Sequence, residues 1–350
     1  MKLRQMCALG AIAVTLGVAT PAVANSQLAV LMQEGRRLVE AGSYDQALAV
    51  YQQLLQSDSR NPRVHSALGF IYAQRGQFAE AARAYQQAIE LDRQNPDFYY
   101  ALGYSLGMMG ENHGAAAAYR QAIRLNNRNA QAYEGLAVIL ARLGDPQGAI
   151  QAYRSVISLE PRSWSAHKGL GVLLLQQRNV AEALTTLRQA ARLAPNNASV
   201  QLNLGMALLA AGDPASGWQA IDQAMAMGQR DLDLLEQIAE LAAAANEPQR
   251  AVQAYRRMIS LNPERLLTYI QLGDLLMQQN NPLEAAATYR QITRISPTNP
   301  EGFYKLGRAL AVQGRRSEAR SAYQTALKLY REQNNPQGET KVKEAMHQRN

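Results

Sequence analysis

Apolar residues occur along this chain in pairs of helical stretches that are separated by short polar turns. One pair covers residues 130–143 and 146–159, and in both stretches apolar side chains recur three and four residues apart. Between the two stretches stand Gly144, a residue that suits the C-terminal end of a helix, and Asp145, which can cap the next helix. The pattern therefore predicts two amphipathic helices joined by a tight turn.

The same pair of stretches recurs every 34 residues, nine times, between Leu28 and Gln333, without an insertion or deletion. Position 20 of the repeat is alanine in eight repeats, and position 24 is tyrosine in seven, with Leu187 and Ile221 as the exceptions. Position 8 admits only glycine or alanine, namely Gly35, Gly69, Gly103, Ala137, Gly171, Gly205, Ala239, Gly273 and Gly307. Small residues at some positions and large residues at others predict helices that pack closely on their neighbours.

Further positions identify the kind of repeat. Position 15 is glycine or asparagine in eight repeats, with Arg178 as the exception, position 7 is leucine in seven, and proline is frequent near position 32. Together these columns resemble the tetratricopeptide repeat, a helix-turn-helix unit of this length. The resemblance implies an all-α fold, a right-handed superhelical solenoid of antiparallel helix pairs. The predicted repeats are 28–61, 62–95, 96–129, 130–163, 164–197, 198–231, 232–265, 266–299 and 300–333.

Two segments depart from the repeat pattern. After the ninth repeat, Pro336 follows two asparagines, and a charged segment with a narrow apolar stripe at Val342, Ala345 and Met346 completes the chain. Because a stack of repeats has exposed ends, we expect a C-terminal capping helix over residues 336–348. The end of the sixth repeat lacks the usual leucine and proline, which predicts either a bend or an altered turn near Gly228.

The N-terminus has the features of an export signal. Lys2 and Arg4 precede an apolar stretch over residues 6–18, and residues 22–24 are Ala-Val-Ala, a small-x-small cleavage pattern. We therefore expect a signal peptide over residues 1–24 and a periplasmic or secreted protein. The alternative is a retained membrane anchor, although the stretch is short for a span and contains glycine and threonine.

The composition offers little for catalysis. Cys7 is the only cysteine and lies within the predicted leader, so thiolate chemistry and disulfides are not expected in the mature protein. The four histidines are dispersed, and the chain has no glycine-rich phosphate loop and no nucleophile-elbow motif. We therefore predict no enzymatic activity, no metal and no cofactor. Nucleic acid is not an expected partner of an exported protein.

The formal net charge of +8 points to a second candidate surface. Many of the basic residues lie on the second helix of the repeats at positions 25 and 29, which share one helical face. The arginine pairs are Arg120 and Arg124, Arg188 and Arg192, and Arg290 and Arg294. This convex face is either ordinary solvated surface or a basic stripe that contacts anionic membrane lipid or cell-wall polymer.

The resemblance also implies a concave groove, because positions 2, 5, 9, 12 and 13 of the first helix face it in the repeat family. Carried over to this chain, the partner-binding residues are Phe70, Tyr100, Tyr104, Met108, Val138, Val172, Leu175, Leu202, Met206, Leu209, Ile270 and Met277. An apolar and aromatic groove suits an extended peptide or an amphipathic helix. The acidic residues near this face, including Asp233, Glu236 and Glu240, either favour a basic ligand segment or are solvated helix surface.

These observations favour a non-enzymatic protein–protein interaction scaffold or adaptor in the cell envelope, which binds a peptide or helix of a partner along its groove. The alternative is an envelope scaffold whose basic convex face contacts membrane lipid or cell-wall polymer during complex assembly.

Overall fold

The computed structural model describes residues 21–347, so most of the predicted signal peptide, residues 1–20, lies outside the described residues. The described residues form helices joined by short turns, and no strand occurs among them. The helices are α1 (Pro21–Glu40), α2 (Tyr44–Ser57), α3 (Pro62–Gln74), α4 (Phe78–Leu91), α5 (Pro96–Met108), α6 (Asn112–Leu125), α7 (Ala130–Arg142), α8 (Pro146–Leu159), α9 (Trp164–Gln176), α10 (Val180–Leu193), α11 (Ala198–Ala210), α12 (Pro214–Met227), α13 (Leu232–Ala244), α14 (Pro248–Leu261), α15 (Leu266–Gln278), α16 (Pro282–Ile295), α17 (Pro300–Val312), α18 (Arg316–Glu332) and α19 (Pro336–His347).

The helices pack as consecutive pairs. Each odd-numbered helix from α1 to α17 is the first helix of a repeat, and it packs against the even-numbered helix that follows it. The chain divides into two compact units, and the boundary lies between Pro161 and Arg162. We call the unit that contains α1 to α8 the N-terminal unit and the one that contains α9 to α19 the C-terminal unit. The predicted all-α architecture of repeated helix pairs is confirmed.

The small residue at position 8 makes room for the large residue at position 24 of the same repeat. A Cβ atom added at Gly273 would lie 2.3 Å from Cε1 of Tyr289, and one added at Gly103 would lie 2.9 Å from Cδ1 of Tyr119. Where position 24 is leucine, a Cβ atom at Gly171 would still lie 2.5 Å from the side chain. Close packing of these side chains confirms that the columns specify contacts between helices.

The turn at position 15 has the same backbone conformation in all nine repeats. Its φ angle is positive throughout, from +57° at Asn280 to +83° at Gly212, and Arg178 adopts +59°. This left-handed conformation ends the first helix. The next helix is capped by a polar side chain, as where Asp145 accepts a hydrogen bond of 2.8 Å from the Gly148 amide. The turn therefore forms even where the sequence lacks glycine or asparagine.

Gly228 is explained by close packing. Its φ of −90° is outside the left-handed region, and a Cβ atom there would lie 2.5 Å from Cδ2 of Leu234 and 3.2 Å from the carbonyl oxygen of Ala224. Glycine thus leaves room for Leu234 where α12 ends and α13 approaches, which is the altered turn of the two alternatives above. Both helices belong to the C-terminal unit, so the boundary between the units lies elsewhere.

The last helix covers the end of the ninth repeat. Val342 of α19 is fully buried, and Gly338 lies so close to the Tyr330 ring of α18 that an added Cβ atom would lie 2.3 Å from it. Lys341 forms an ion pair of 2.9 Å with Glu301 of α17. Helix α19 lies within the segment 336–348 for which a capping helix is predicted, and residue 348 lies outside the described residues.

Candidate binding surface

The N-terminal unit exposes large apolar side chains on three consecutive first helices, α3, α5 and α7. Tyr104 is 45% exposed and Met108 is 49% exposed. The exposed members of the predicted groove in this unit are Phe70, Tyr104, Met108 and Val138. We call these four residues the apolar row. Contiguous apolar exposure of this kind is typical of interaction sites.

Aromatic contacts hold the side chains of this surface in place. The ring of Tyr104 packs edge-on against Phe78, with centroids 6.2 Å apart. Tyr100 is partly buried, and its ring lies 6.0 Å from that of Tyr119. Burial, followed by the neighbouring Tyr104 hydroxyl and Glu134, raises the pKa of Tyr100 above its usual value. Tyr100 therefore packs as a support for the apolar row and is not one of its exposed members. Its hydroxyl group stays neutral at physiological pH.

In the C-terminal unit the predicted residues divide into exposed, partly buried and core positions. Met206 is exposed, whereas Leu202 is only 2% exposed and packs in the core with Trp218 and Ile221. The partly buried members are Val172, Leu175, Leu209, Ile270 and Met277. The prediction for Leu202 is wrong as a contact residue. Its helix, α11, has no distinct polar face, and such a helix buries positions that another helix exposes.

Position 9 changes from apolar to charged along the first helices of the C-terminal unit. The residues are Val172, Met206, Glu240, Asp274 and Arg308. The Asp274 carboxylate accepts a hydrogen bond of 2.6 Å from the Tyr289 hydroxyl and bonds of 2.7 and 2.8 Å from Nζ of Lys305. Burial, and then this hydrogen bond to a carboxylate, raise the pKa of Tyr289 far above its usual range. The tyrosine at position 24 therefore reaches the residue at position 9 of its own repeat.

A second ionic cluster joins α17, α18 and α19. Glu301 accepts a hydrogen bond of 2.7 Å from the Tyr330 hydroxyl and two bonds, of 3.0 and 2.9 Å, from Lys341. Burial by itself raises the pKa of Glu301, but the hydrogen bonds from Tyr330 and Lys341 and the charge of Lys305 outweigh it and hold the pKa below its usual value. The charged groups of α17 and α19 are thus largely satisfied by one another.

The acidic residues of α13 are paired unequally. Glu236 forms an ion pair of 2.8 Å with Arg265, whereas Asp233 and Glu240 are exposed and form no ion pair with any residue that the structure describes. Burial, followed by the charges of Glu240 and Glu236, raises the pKa of Tyr255. The charge of Glu240 therefore acts on the tyrosine of its own repeat, and Glu240 has no counter-ion among the described residues. The ion pairing of these acids could not be predicted from the sequence.

Part of the predicted basic face is used by contacts between repeats. Arg290 at position 25 pairs with Glu318 at position 19 of the next repeat at 3.5 Å, and Arg256 pairs with Glu284 in the same way one repeat earlier. The remaining arginines of the predicted face are exposed and form no ion pair within the described part of the chain, namely Arg120, Arg124, Arg188, Arg192 and Arg294. Exposed pairs of this kind contribute at most about 1 kcal/mol each. The arginine column is therefore partly structural.

Two other kinds of site are absent from the residues that the structure describes. No group of three or more histidine, aspartate or glutamate side chains in residues 21–347 could hold a metal ion. Within the same range, none of the helices combines the length and the apolar character that crossing a bilayer needs.

Comparison with protein families agrees with the repeat pattern. A family model described as "TPR repeat" matches residues 35–74 and 71–110, and one described as "Tetratricopeptide repeat" matches 100–163, 142–198, 202–265, 236–300 and 270–337. Together the matches span most of the chain. A comparison with curated proteins finds no match.

Solved structures of other proteins are similar to parts of this chain, and the first two below have the same fold. A tetratricopeptide repeat protein from Parabacteroides merdae is 16% identical, covers 72% of this chain and 99% of its own, and has a TM-score of 0.58. PilF of Pseudomonas aeruginosa is 18% identical, covers 62% of this chain and 99% of its own, and has a TM-score of 0.54. MamA is 27% identical over 46% of this chain and 94% of its own, with a TM-score of 0.45. At these identities the first two similarities concern the fold alone.

Proposed function

Because this chain belongs to the tetratricopeptide repeat family, which supports a role as a protein–protein interaction scaffold, we propose that it binds a peptide or helix of a partner protein along α3, α5 and α7. One observation carries the proposal. The apolar row places exposed large side chains on three first helices in succession. No catalytic constellation in the sequence competes with this function, and the scaffold acts without chemistry of its own.

The spacing of the apolar row suits an extended peptide. Neighbouring packed helices lie about 8–10 Å apart, and an extended chain advances about 3.3 Å per residue. Every third residue of such a peptide would therefore meet the next member of the row. Tyrosine and methionine are effective contact residues, and complete burial of one large apolar side chain contributes about 1.5–3 kcal/mol. Held in place by Phe78, the Tyr104 ring loses little side-chain entropy on binding.

The export signal completes the proposal. The basic residues, apolar stretch and Ala-Val-Ala pattern at the N-terminus support cleavage after Ala24 and action in the periplasm or outside the cell. Mass spectrometry of the protein from cell-envelope and secreted fractions measures its N-terminal residue. A first residue at Asn25 supports export, and an intact N-terminus in a cytoplasmic fraction would refute it.

A peptide selection tests the binding surface. Phage-displayed random peptides are selected on the purified protein, and the Kd of the best synthetic peptide is measured by fluorescence anisotropy. Tyr104→Ala is expected to weaken binding about tenfold or more, which corresponds to about 1.4 kcal/mol. Leu283→Ala is the matched control, since Leu283 is also an exposed apolar residue but lies on the second helix α16.

The outcomes separate the proposed function from its alternative. Failure to select any peptide, or equal losses in both variants, would contradict binding along the apolar row. The double variant Arg120→Glu, Arg124→Glu tests the convex face with vesicles of anionic and of zwitterionic lipid. Binding of the unmodified protein to anionic vesicles that this variant abolishes, together with no selected peptide, would favour the alternative.

A further inference from the structure

Two carboxylates occupy position 9 of neighbouring repeats in the C-terminal unit, and only one of them has a counter-ion. Asp274 receives two bonds from Nζ of Lys305, at 2.7 and 2.8 Å. Glu240 occupies the same position one repeat earlier, is exposed, and has no ion pair among the residues described by the structure. The two acids therefore differ in their surroundings, although they are equivalent in the repeat.

The difference arises from position 6 of the following repeat. Lys305 occupies position 6 in the ninth repeat, and the equivalent residue in the eighth repeat is Gln271. A glutamine carries no charge and cannot neutralise Glu240. The Gln271 side-chain oxygen is moreover buried and accepts no hydrogen bond in the described part of the molecule. Glu240 thus has no equivalent of the Lys305 cation that pairs with Asp274.

Nearby charged groups leave Glu240 uncompensated. Its own helix, α13, contains Asp233, Glu236 and Glu240 and no basic residue, and the spacing of these acids places them on one helical face. Arg265 is used by Glu236 at 2.8 Å. At position 9 the flanking first helices carry Met206, which is neutral, and Asp274, which is already paired. This stretch is therefore negative within a chain whose formal charge is +8.

Exposed apolar side chains lie on the first helices that precede and follow α13 in the chain. Leu267 at position 2 of α15 is 51% exposed, and Met206 on α11 is exposed as well. Ile270 is partly buried and packs against the core. A peptide bound at this surface would contact apolar side chains and negative charges. Such a surface selects partners by charge complementarity.

We infer that Glu240 binds a lysine or arginine side chain of a partner peptide that lies along α13 in the C-terminal unit, where this side chain takes the place that Lys305 takes at Asp274. The inference rests on the proposed function for the class of partner, a peptide, and it names a contact that is separate from the apolar row: a segment in which a basic residue stands beside apolar ones. Position 6 acts as the selector. Where it is lysine, the acid is satisfied within the chain, and where it is glutamine, the acid is available to a partner.

The test uses the peptide selection on the purified protein at low and at high salt, and synthetic peptides that differ only by Lys→Gln at one position. The unmodified protein is expected to select peptides with lysine or arginine beside apolar residues, and to bind the lysine peptide about three- to tenfold more tightly at low salt. This preference is expected to shrink at high salt.

Two variants identify the carboxylate. Gln271→Lys supplies the missing counter-ion and is expected to remove the preference for lysine while leaving the affinity for the glutamine peptide unchanged. Glu240→Gln is expected to do the same. Lys305 shows that a lysine fits at this position of the repeat. Gln52→Lys is the matched control, because it adds the same charge at an exposed position of α2, and it is expected to keep the preference.

The outcomes distinguish this inference from the proposed function. Selection of apolar peptides without basic residues, or a lysine preference that persists in Gln271→Lys and Glu240→Gln, overturns the inference and leaves groove binding intact. Failure to select any peptide overturns both. Self-association of the protein in sedimentation velocity that Glu240→Gln abolishes would identify a second copy of the chain as the occupant and would also overturn the inference.

Discussion

Arg178 offers a measurement of the turn that joins the two helices of a repeat. It adopts a φ of +59° at a position where every other repeat has glycine or asparagine. The left-handed conformation costs a residue with a Cβ atom about 1–2 kcal/mol, whereas glycine adopts it freely. Glycine also gives the unfolded chain more freedom, which offsets about 0.4–1 kcal/mol of the gain. We therefore expect Arg178→Gly to stabilise the protein by about 0.5–1 kcal/mol.

The side chain of Arg178 does not complicate the estimate. It is exposed and makes no hydrogen bond with any described residue, so its removal costs little. Thermal unfolding followed by circular dichroism measures the change. For a unit of this size, 1 kcal/mol shifts the Tm by about 2–4 °C, and the expected rise is about 1–4 °C.

Gly144→Ala is the matched control at the same position of another repeat. Its φ is +75°, and no atom lies within 4 Å of an added Cβ, so the substitution adds backbone strain and no clash. The same terms with opposite sign predict a loss of about 0.5–1 kcal/mol and a lower Tm. A lower Tm for Arg178→Gly, or an unchanged Tm for Gly144→Ala, would refute the view that backbone conformation controls this position.

Three further substitutions or conditions test the packing. Ala149 is fully buried, and Ala149→Leu is expected to overpack the helix contact and cost about 1–3 kcal/mol, as urea unfolding would show. Gly273→Ala is expected to lower the Tm despite the better helix propensity of alanine, because its Cβ atom would lie 2.3 Å from the Tyr289 ring; a higher Tm would contradict this. Burial raises the pKa of Tyr153 to about 12, whereas an unfolded tyrosine titrates near about 10. The contribution of Tyr153 to the free energy of unfolding is therefore fully present below about pH 10 and is lost as the pH rises toward 12. Stability measured by circular dichroism should fall across this range, and a flat profile would contradict the reasoning.

The fold could be predicted from the sequence because the same contacts between helices recur in each repeat. Nine instances of a small residue at position 8 and mostly tyrosine at position 24 define a contact that one instance could not. The same redundancy explains Arg178, whose neighbours in the column predict its conformation better than its own identity does. Because the pattern is repeated nine times, a local exception has little influence on the prediction of the architecture.

The same repetition hides what distinguishes one repeat from the next. Leu202 shares position 5 with Tyr100 and Ile270, but it is buried in the core with Trp218 and Ile221. The repeat position of a residue therefore predicts the direction in which its side chain points. It does not predict whether the neighbouring helices leave that side chain accessible. Exposure depends on the particular residues that surround each copy.

Charge pairing shows the limit most clearly, since Asp274 and Lys305 are 31 residues apart and belong to different repeats. Their contact becomes predictable only when the structure shows that position 9 faces position 6 of the next repeat. Applied to the preceding repeat, this rule pairs Glu240 with Gln271 and leaves a carboxylate without a cation. We therefore expect the chemistry that selects a partner to lie in mismatches between adjacent repeats, where single residues depart from the repeat pattern.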